Sequence, residues 1–143
     1  MNSTRISASL RREVRERARE CCEYCLIAES QVFFPHEPDH LIARKHGGRT
    51  LSGNLALACF DCNRFKGADI ASIDVMTGEL VSLFNPRIER WHEHFRLEGG
   101  RIIPLTASGR VTEKLLRLNL PVRLEIRARL ARLQEYPLFL FDS

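Results

Sequence analysis

No run of about 18 uninterrupted apolar residues occurs in the chain, so a membrane-spanning helix is not expected. The first residues, Met1-Asn2-Ser3-Thr4-Arg5, lack the apolar stretch of a secretory signal, and a cytoplasmic protein is the expectation. No internal repeat, low-complexity tract or linker-like stretch divides the sequence. Lysine is scarce, with only Lys45, Lys66 and Lys114 among the 22 basic residues, so the positive charge is carried almost entirely by arginine. Without an export signal, disulfides are a poor explanation for cysteine, and thiols or metal ligands are the better one.

What is present fits one compact unit. With 143 residues, 44% of them apolar, the chain can bury one core, and two independent domains would be cramped. A single domain over 1–143 is therefore expected, with a motif-rich core over about 20–70 and an extension over about 71–143. The formal charge of +4 leans towards a polyanionic partner, and the planar guanidinium fork suits phosphate oxygens. A genome that encodes arginine cheaply would give the same composition.

Along the chain, Leu10, Val14 and Ala18 recur on one face of a helix expected over 9–21, capped by Ser7 or Ser9. Its arginines (11, 12, 15, 17 and 19) and interleaved glutamates read as a solvated face. Gln31–Phe34 and Leu41–Ala43 read as short strands, Gly47-Gly48 as a turn, Leu51–Leu57 as alternating, and a helix starts near Cys62. The expected order is strand, loop, strand, short helix. Beyond Gly67, one hairpin is expected around Thr77-Gly78 and a second around Gly99-Gly100. A helix carrying Val111, Leu115 and Leu118 follows Thr106 or Ser108. Another opens at Pro121, with Val122, Ile126, Leu130 and Leu133 spaced for a buried face. The tail Leu138-Phe139-Leu140-Phe141 is apolar enough to pack on the body or on a partner. The fold class is α+β.

Five cysteines occur, four of them as two Cys-x-x-Cys knuckles, Cys22/Cys25 and Cys59/Cys62, with 33 residues between. Four thiolates so arranged suit a closed, tetrahedral structural Zn²⁺ site, and buried apolar cysteines are the bland alternative. Cys21 is expected to be a spectator. Between the knuckles lie Asp39-His40-Leu41-Ile42, Gly47-Gly48 and Asn54-Leu55, and Asn63-Arg64-Phe65-Lys66 follows the second knuckle.

These motifs, in this order over residues 22 to 67, resemble the HNH endonuclease family with its ββα-metal fold. The resemblance implies His40 as the general base for water attacking a phosphodiester and Asn54 as a brace for the loop that helps orient it. Asn63 stands where many members carry a final histidine, so the pattern is an H-N-N variant. Asp39 and Asn63 are then the implied ligands of a catalytic divalent ion, and their oxygens suit Mg²⁺ or Mn²⁺. A neutral imidazole accepts a proton near neutral pH, which agrees with the role implied for His40. Leu83–Phe95 resembles the C-terminal extension of some small bacterial members.

Arg44, Lys45, Arg64 and Lys66 surround this window and are expected to contact nucleic acid through its phosphates; solvated loop charges are the alternative. His36 and His46 read as surface histidines, and His92 and His94 as members of a packed aromatic cluster. The implied partner is DNA, with RNA remaining open, and the chain is expected as a monomer or weak homodimer. The alternative is a non-catalytic, zinc-binding module that grips nucleic acid.

Overall fold

The computed structural model describes residues 5–138. Helix α1, Ala8–Arg17, starts where the Ser7 hydroxyl accepts the Leu10 N–H at 3.2 Å. It buries Val14 and Ala18, the expected face, against Leu55 and Leu57. It stops short of position 21 because Arg19 and Glu20 take positive φ, turning the chain into a bridge between Cys21 and Ala28. Its arginines are not simply solvated. Arg15 reaches Glu29 at 2.7 Å and the His36 carbonyl at 2.9 Å, and Arg17 donates to Ser52 and to the Leu55 carbonyl. They tether α1 to the segments that frame the motif window.

The strand expected over 31–34 is a single 3-10 turn, Glu29–Gln31, followed by bends. Phe34 stacks on Phe60 at 4.7 Å instead of pairing through its backbone, and Phe33 is left 92% exposed. Strand β1 is Glu37–His40, ahead of the expected Leu41–Ala43, and pairs antiparallel with β2, Leu55–Ala58, with Asp39 opposite Ala56 and His40 opposite Leu55. In a two-stranded ribbon every strand is an edge strand, so Pro38 is tolerated inside it. Between the strands the loop tightens at Gly47, with φ +90, and at Gly48, where a Cβ would stand 1.7 Å from the Ile42 carbonyl oxygen. Helix α2, Phe60–Lys66, begins two residues before the expected Cys62 because the Cys59 sulfur accepts the Cys62 N–H as its cap. The ββα order is the expected one.

The extension contains both expected hairpins: β3, Ala71–Ile73, with β4, Leu80–Ser82; and, after the single turn α3 at Trp91–His94, β5, Phe95–Glu98, with β6, Arg101–Pro104. Thr106 caps α4, Ala107–Leu115, through the Gly109 N–H. Asp74 holds Arg110 through two 2.9 Å contacts, tying the first hairpin to α4. Tyr24, Trp91, Phe95, Ile102, Val111 and Leu116 are buried in one cluster, and the Trp91 indole donates to the Tyr24 carbonyl at 2.8 Å.

Helix α5, Pro121–Arg132, keeps only part of the expected buried face. Leu130 packs against the core as expected, whereas Val122, Ile126 and Leu133 are exposed, and Arg123 and Arg127 are buried. The guanidiniums decide the docking. Arg127 donates to the carbonyls of Gly100 (2.8 Å) and Leu118 (2.6 Å), and Arg123 to that of Leu116 (2.7 Å). The carbonyls ending a helix have no partner within it, and here α5 supplies donors. Of the apolar tail, Leu138 is 53% exposed; Phe139, Leu140 and Phe141 lie outside the described residues.

Candidate functional site

The two knuckles meet as the spacing requires. Cys22, Cys25, Cys59 and Cys62 are buried, free of disulfides, and present sulfurs that all lie within 4.8 Å of one another. The Cys25 and Cys59 sulfurs are 3.7 Å apart, and tetrahedral Zn–S bonds of about 2.3 Å put sulfurs about 3.8 Å apart. Burial pushes the Cys22 and Cys62 thiols well up, while hydrogen bonds from the three neighbouring cysteines hold Cys25 down. Such a cluster wants a dication to deprotonate it fully, and the donor set fits structural zinc. Cys21 lies outside the four, its thiol pushed up by burial to about 11.

The ribbon and α2 bring the second group together. Asp39, His40 and Asn63 line one cavity of about 210 Å³, with Arg44 at its wall. Asp39 is buried; its Oδ2 lies 3.1 Å from the Lys66 ammonium and takes the Tyr24 hydroxyl at 3.4 Å. Burial raises the Asp39 carboxyl above the usual range, an effect that Lys66 partly offsets. Asn63, half-buried, lies in α2 one turn beyond the Cys59 cap. Oxygen donors on Asp39 and Asn63 around one cavity are of the kind that would suit a hard divalent ion.

His40 is half-buried, and its Nε2 lies 2.9 Å from the Thr50 hydroxyl. Burial, then the charges of Arg44 and Lys66, lower its pKa below 6.5, so the ring is neutral at pH 7. The hydrogen bonds of the Asn54 side chain go to the loop backbone. Its Oδ1 accepts the Ile42 N–H at 2.9 Å, and its Nδ2 donates to the carbonyls of Ile42 (3.0 Å) and Arg49 (2.8 Å). Arg49 precedes Thr50, so Asn54 shapes the loop that meets the histidine.

The four expected phosphate contacts separate. Arg44 and Lys45 are exposed on the loop. Arg64 is exposed but pairs with Asp61 at 3.1 Å and stacks over Phe65 at 4.3 Å. Lys66 is 3% exposed, and its ammonium also donates to the His40 carbonyl at 3.0 Å. A lysine so enclosed is held by Asp39 and the His40 carbonyl. His36 is likewise no surface residue: it is fully buried, with Nε2 2.9 Å from the Ile27 carbonyl. His46 is exposed as expected, and His94 packs beside Phe84 while bonding Thr106 at 2.6 Å.

Three participants have no counterpart in the sequence reading: Tyr24 on Asp39, Thr50 on His40, and Arg123, whose Nη2 is 3.0 Å from the Cys62 sulfur. Tyr24 sits inside the first knuckle, where a signal existed. Thr50 and Arg123 lie outside every motif.

Residues 22–69 match a family model described as HNH endonuclease. No curated protein and no solved structure matches the chain.

Proposed function

With an HNH endonuclease domain over residues 22–69 as premise, we propose that the protein is a divalent-metal-dependent nuclease that hydrolyses phosphodiester bonds in DNA. The observation that carries this reading is the single cavity shared by Asp39, His40 and Asn63 on the ββα unit.

His40 takes the proton from the attacking water. In the tautomer whose Nε2–H donates to the Thr50 hydroxyl, the neutral ring leaves Nδ1 to accept that proton. Thr50 and the Asn54-braced loop hold the imidazole orientation. Asp39 and Asn63 hold the catalytic ion, Mg²⁺ or Mn²⁺, and Lys66 with Tyr24 fixes the carboxylate. When bound, the ion offsets the negative charge that grows on the phosphate and its leaving oxygen. Arg44 and Lys45 meet neighbouring phosphates, a contact indifferent to sequence and weakened by salt. The four-cysteine cluster holds zinc and anchors both the loop before β1 and the start of α2.

One observation favours the other reading, a zinc-dependent module that binds nucleic acid without cutting it: the Asp39 carboxylate already has a cation in Lys66. Supercoiled plasmid incubated with Mn²⁺ or Mg²⁺ separates the two. The nuclease reading requires nicking or linearisation that EDTA stops and added metal restores, and that His40→Ala abolishes while zinc content stays unchanged. Retarded plasmid with no cleavage over a panel of metals and substrates establishes the binding module instead.

A further inference from the structure

A zinc ion held by four thiolates carries two net negative charges, and all four cysteines of this cluster are buried. Uncompensated buried charge is expensive. The structure shows what stands against it. Arg123, 5% exposed, directs Nη2 at the Cys62 sulfur (3.0 Å) and the Cys59 sulfur (3.7 Å). Its Nη1 donates to the carbonyls of Leu116 (2.7 Å) and Arg117 (3.2 Å), so the end of α4 fixes the fork in place. Among the described residues the carboxylate oxygen that pairs with it, on Asp61, is 3.7 Å from Nε, while the Cys62 sulfur lies 3.0 Å from Nη2. The anion that faces this guanidinium most closely is therefore the thiolate pair of the second knuckle.

The helix that carries Arg123 leaves Val122 and Ile126 in water to present it. A helix docked for apolar burial would turn the other way. That orientation, together with the 61 residues separating Arg123 from Cys62, makes the contact a long-range tie between the extension and the motif core.

We propose that Arg123 is an outer member of the zinc centre: its guanidinium takes up one unit of the thiolates' negative charge, strengthens metal retention and makes the docking of α5 a condition of keeping the ion. Hydrogen bonds and cations at ligand atoms govern metal affinity, and their removal typically costs about 10- to 100-fold. Arg123 acts through Cys62 and Cys59 and is a positioning residue, remote from the phosphodiester chemistry. The inference rests on the zinc assignment and is independent of the nuclease reading.

The test uses the full chain, with zinc affinity measured by competition against a chromophoric chelator and with Co²⁺ substituted for zinc to read the thiolate-to-metal charge-transfer band. Arg123→Met and Arg123→Gln should lose zinc roughly 10- to 100-fold more readily, and their cobalt band should move to lower energy, because a thiolate without a cationic donor gives up its electrons more easily. Loss of packing alone does not shift that band in a site whose four sulfurs remain bound. Folded neutral variants with the parent's zinc affinity and an unmoved band overturn the proposal. If neither neutral variant folds, Arg123→Lys decides, since an ammonium keeps the charge: affinity within about tenfold of the parent supports the proposal, and a larger loss overturns it. A parent chain that takes up no zinc overturns it together with the zinc assignment, whatever its activity on plasmid.

Discussion

Replacing Lys66 by methionine removes the cation that touches the Asp39 carboxylate while keeping the length of the side chain. The ammonium lies 3.1 Å from Oδ2, with the two side chains 3% and 7% exposed. At an effective dielectric of about 20, that separation corresponds to roughly 5 kcal/mol of attraction. Methionine also leaves the His40 carbonyl without its donor, worth about 1–3 kcal/mol, and against both stands the desolvation that a buried ammonium no longer incurs. The net for breaking a buried pair by removing one partner is about 3–5 kcal/mol. Urea unfolding of Lys66→Met at pH 7 should show a loss of that size.

The loss should also depend on pH with a definite sign. Burial raises the folded-state pKa of Asp39 above its unfolded value of 3.8, and Lys66 opposes that rise. A raised carboxyl contributes stability that is present in acid and lost as pH climbs through the folded pKa. Without Lys66 the folded pKa climbs further, so the variant's deficit is larger at pH 7 and shrinks as pH falls and the carboxyl takes up its proton in the folded state. Mn²⁺ should then stabilise the variant at pH 7 by about 2.7 kcal/mol at a hundred times the variant's Kd, and the parent by less at the same concentration, because the carboxylate is no longer shared. A deficit below about 1 kcal/mol at pH 7, or one equal at pH 4 and pH 7, refutes the reasoning.

Cleavage should hold its rate down to a pH below 6.5 and then fall as His40 protonates, since burial and the nearby cations depress that ring; a limb centred above 6.5 counts against His40 as the base. Asn54→Ala removes three side-chain hydrogen bonds that close the loop over 42–54 and should cost about 1–3 kcal/mol in thermal or urea unfolding, with a larger fall in kcat than in zinc content. On α5 and the turn that leads into it, exposed and buried positions should separate cleanly: Val122→Ser stays within about 0.5 kcal/mol of the parent, and Leu118→Ala, at a fully buried site, loses about 2–5 kcal/mol. Equal losses at both positions would restore the apolar-face docking of α5 that the helical spacing predicts.

The legible parts of this protein share one property: their signal is local. Two knuckles with two residues between each pair of cysteines can close on one ion whatever lies between them, and the sulfurs do converge to within 4.8 Å. Thr77-Gly78 and Gly99-Gly100 each turn a hairpin within a few residues, and both are present. Thr106 caps the helix that directly follows it. The ββα order is readable for the same reason, because the motif residues set the succession of elements even where strand ends fall a few positions away from those expected.

Periodicity misreads the parts that polar groups decide at long range. Spacing assigns Val122, Ile126, Leu130 and Leu133 to the buried face of α5; Leu130 does pack on the core, but a helix end with unpaired carbonyls and a cluster of thiolates outweighs the other three, and Arg123 and Arg127 go inside. Lys66 makes the same point beside Asp39. In sequence it is one more cation beside a phosphate-binding motif, and only the fold shows the buried carboxylate that claims it. The arginines of α1 likewise close on the Leu55 and His36 carbonyls, so the positive composition overstates the charge that a polyanion can reach. Of the four basic residues expected to meet phosphate, Lys66 is enclosed and Arg64 is held by Asp61, while Arg44 and Lys45 stand exposed on the loop beside the cavity. Nucleic-acid affinity and its salt dependence should therefore respond more to those two than to the rest of the basic total.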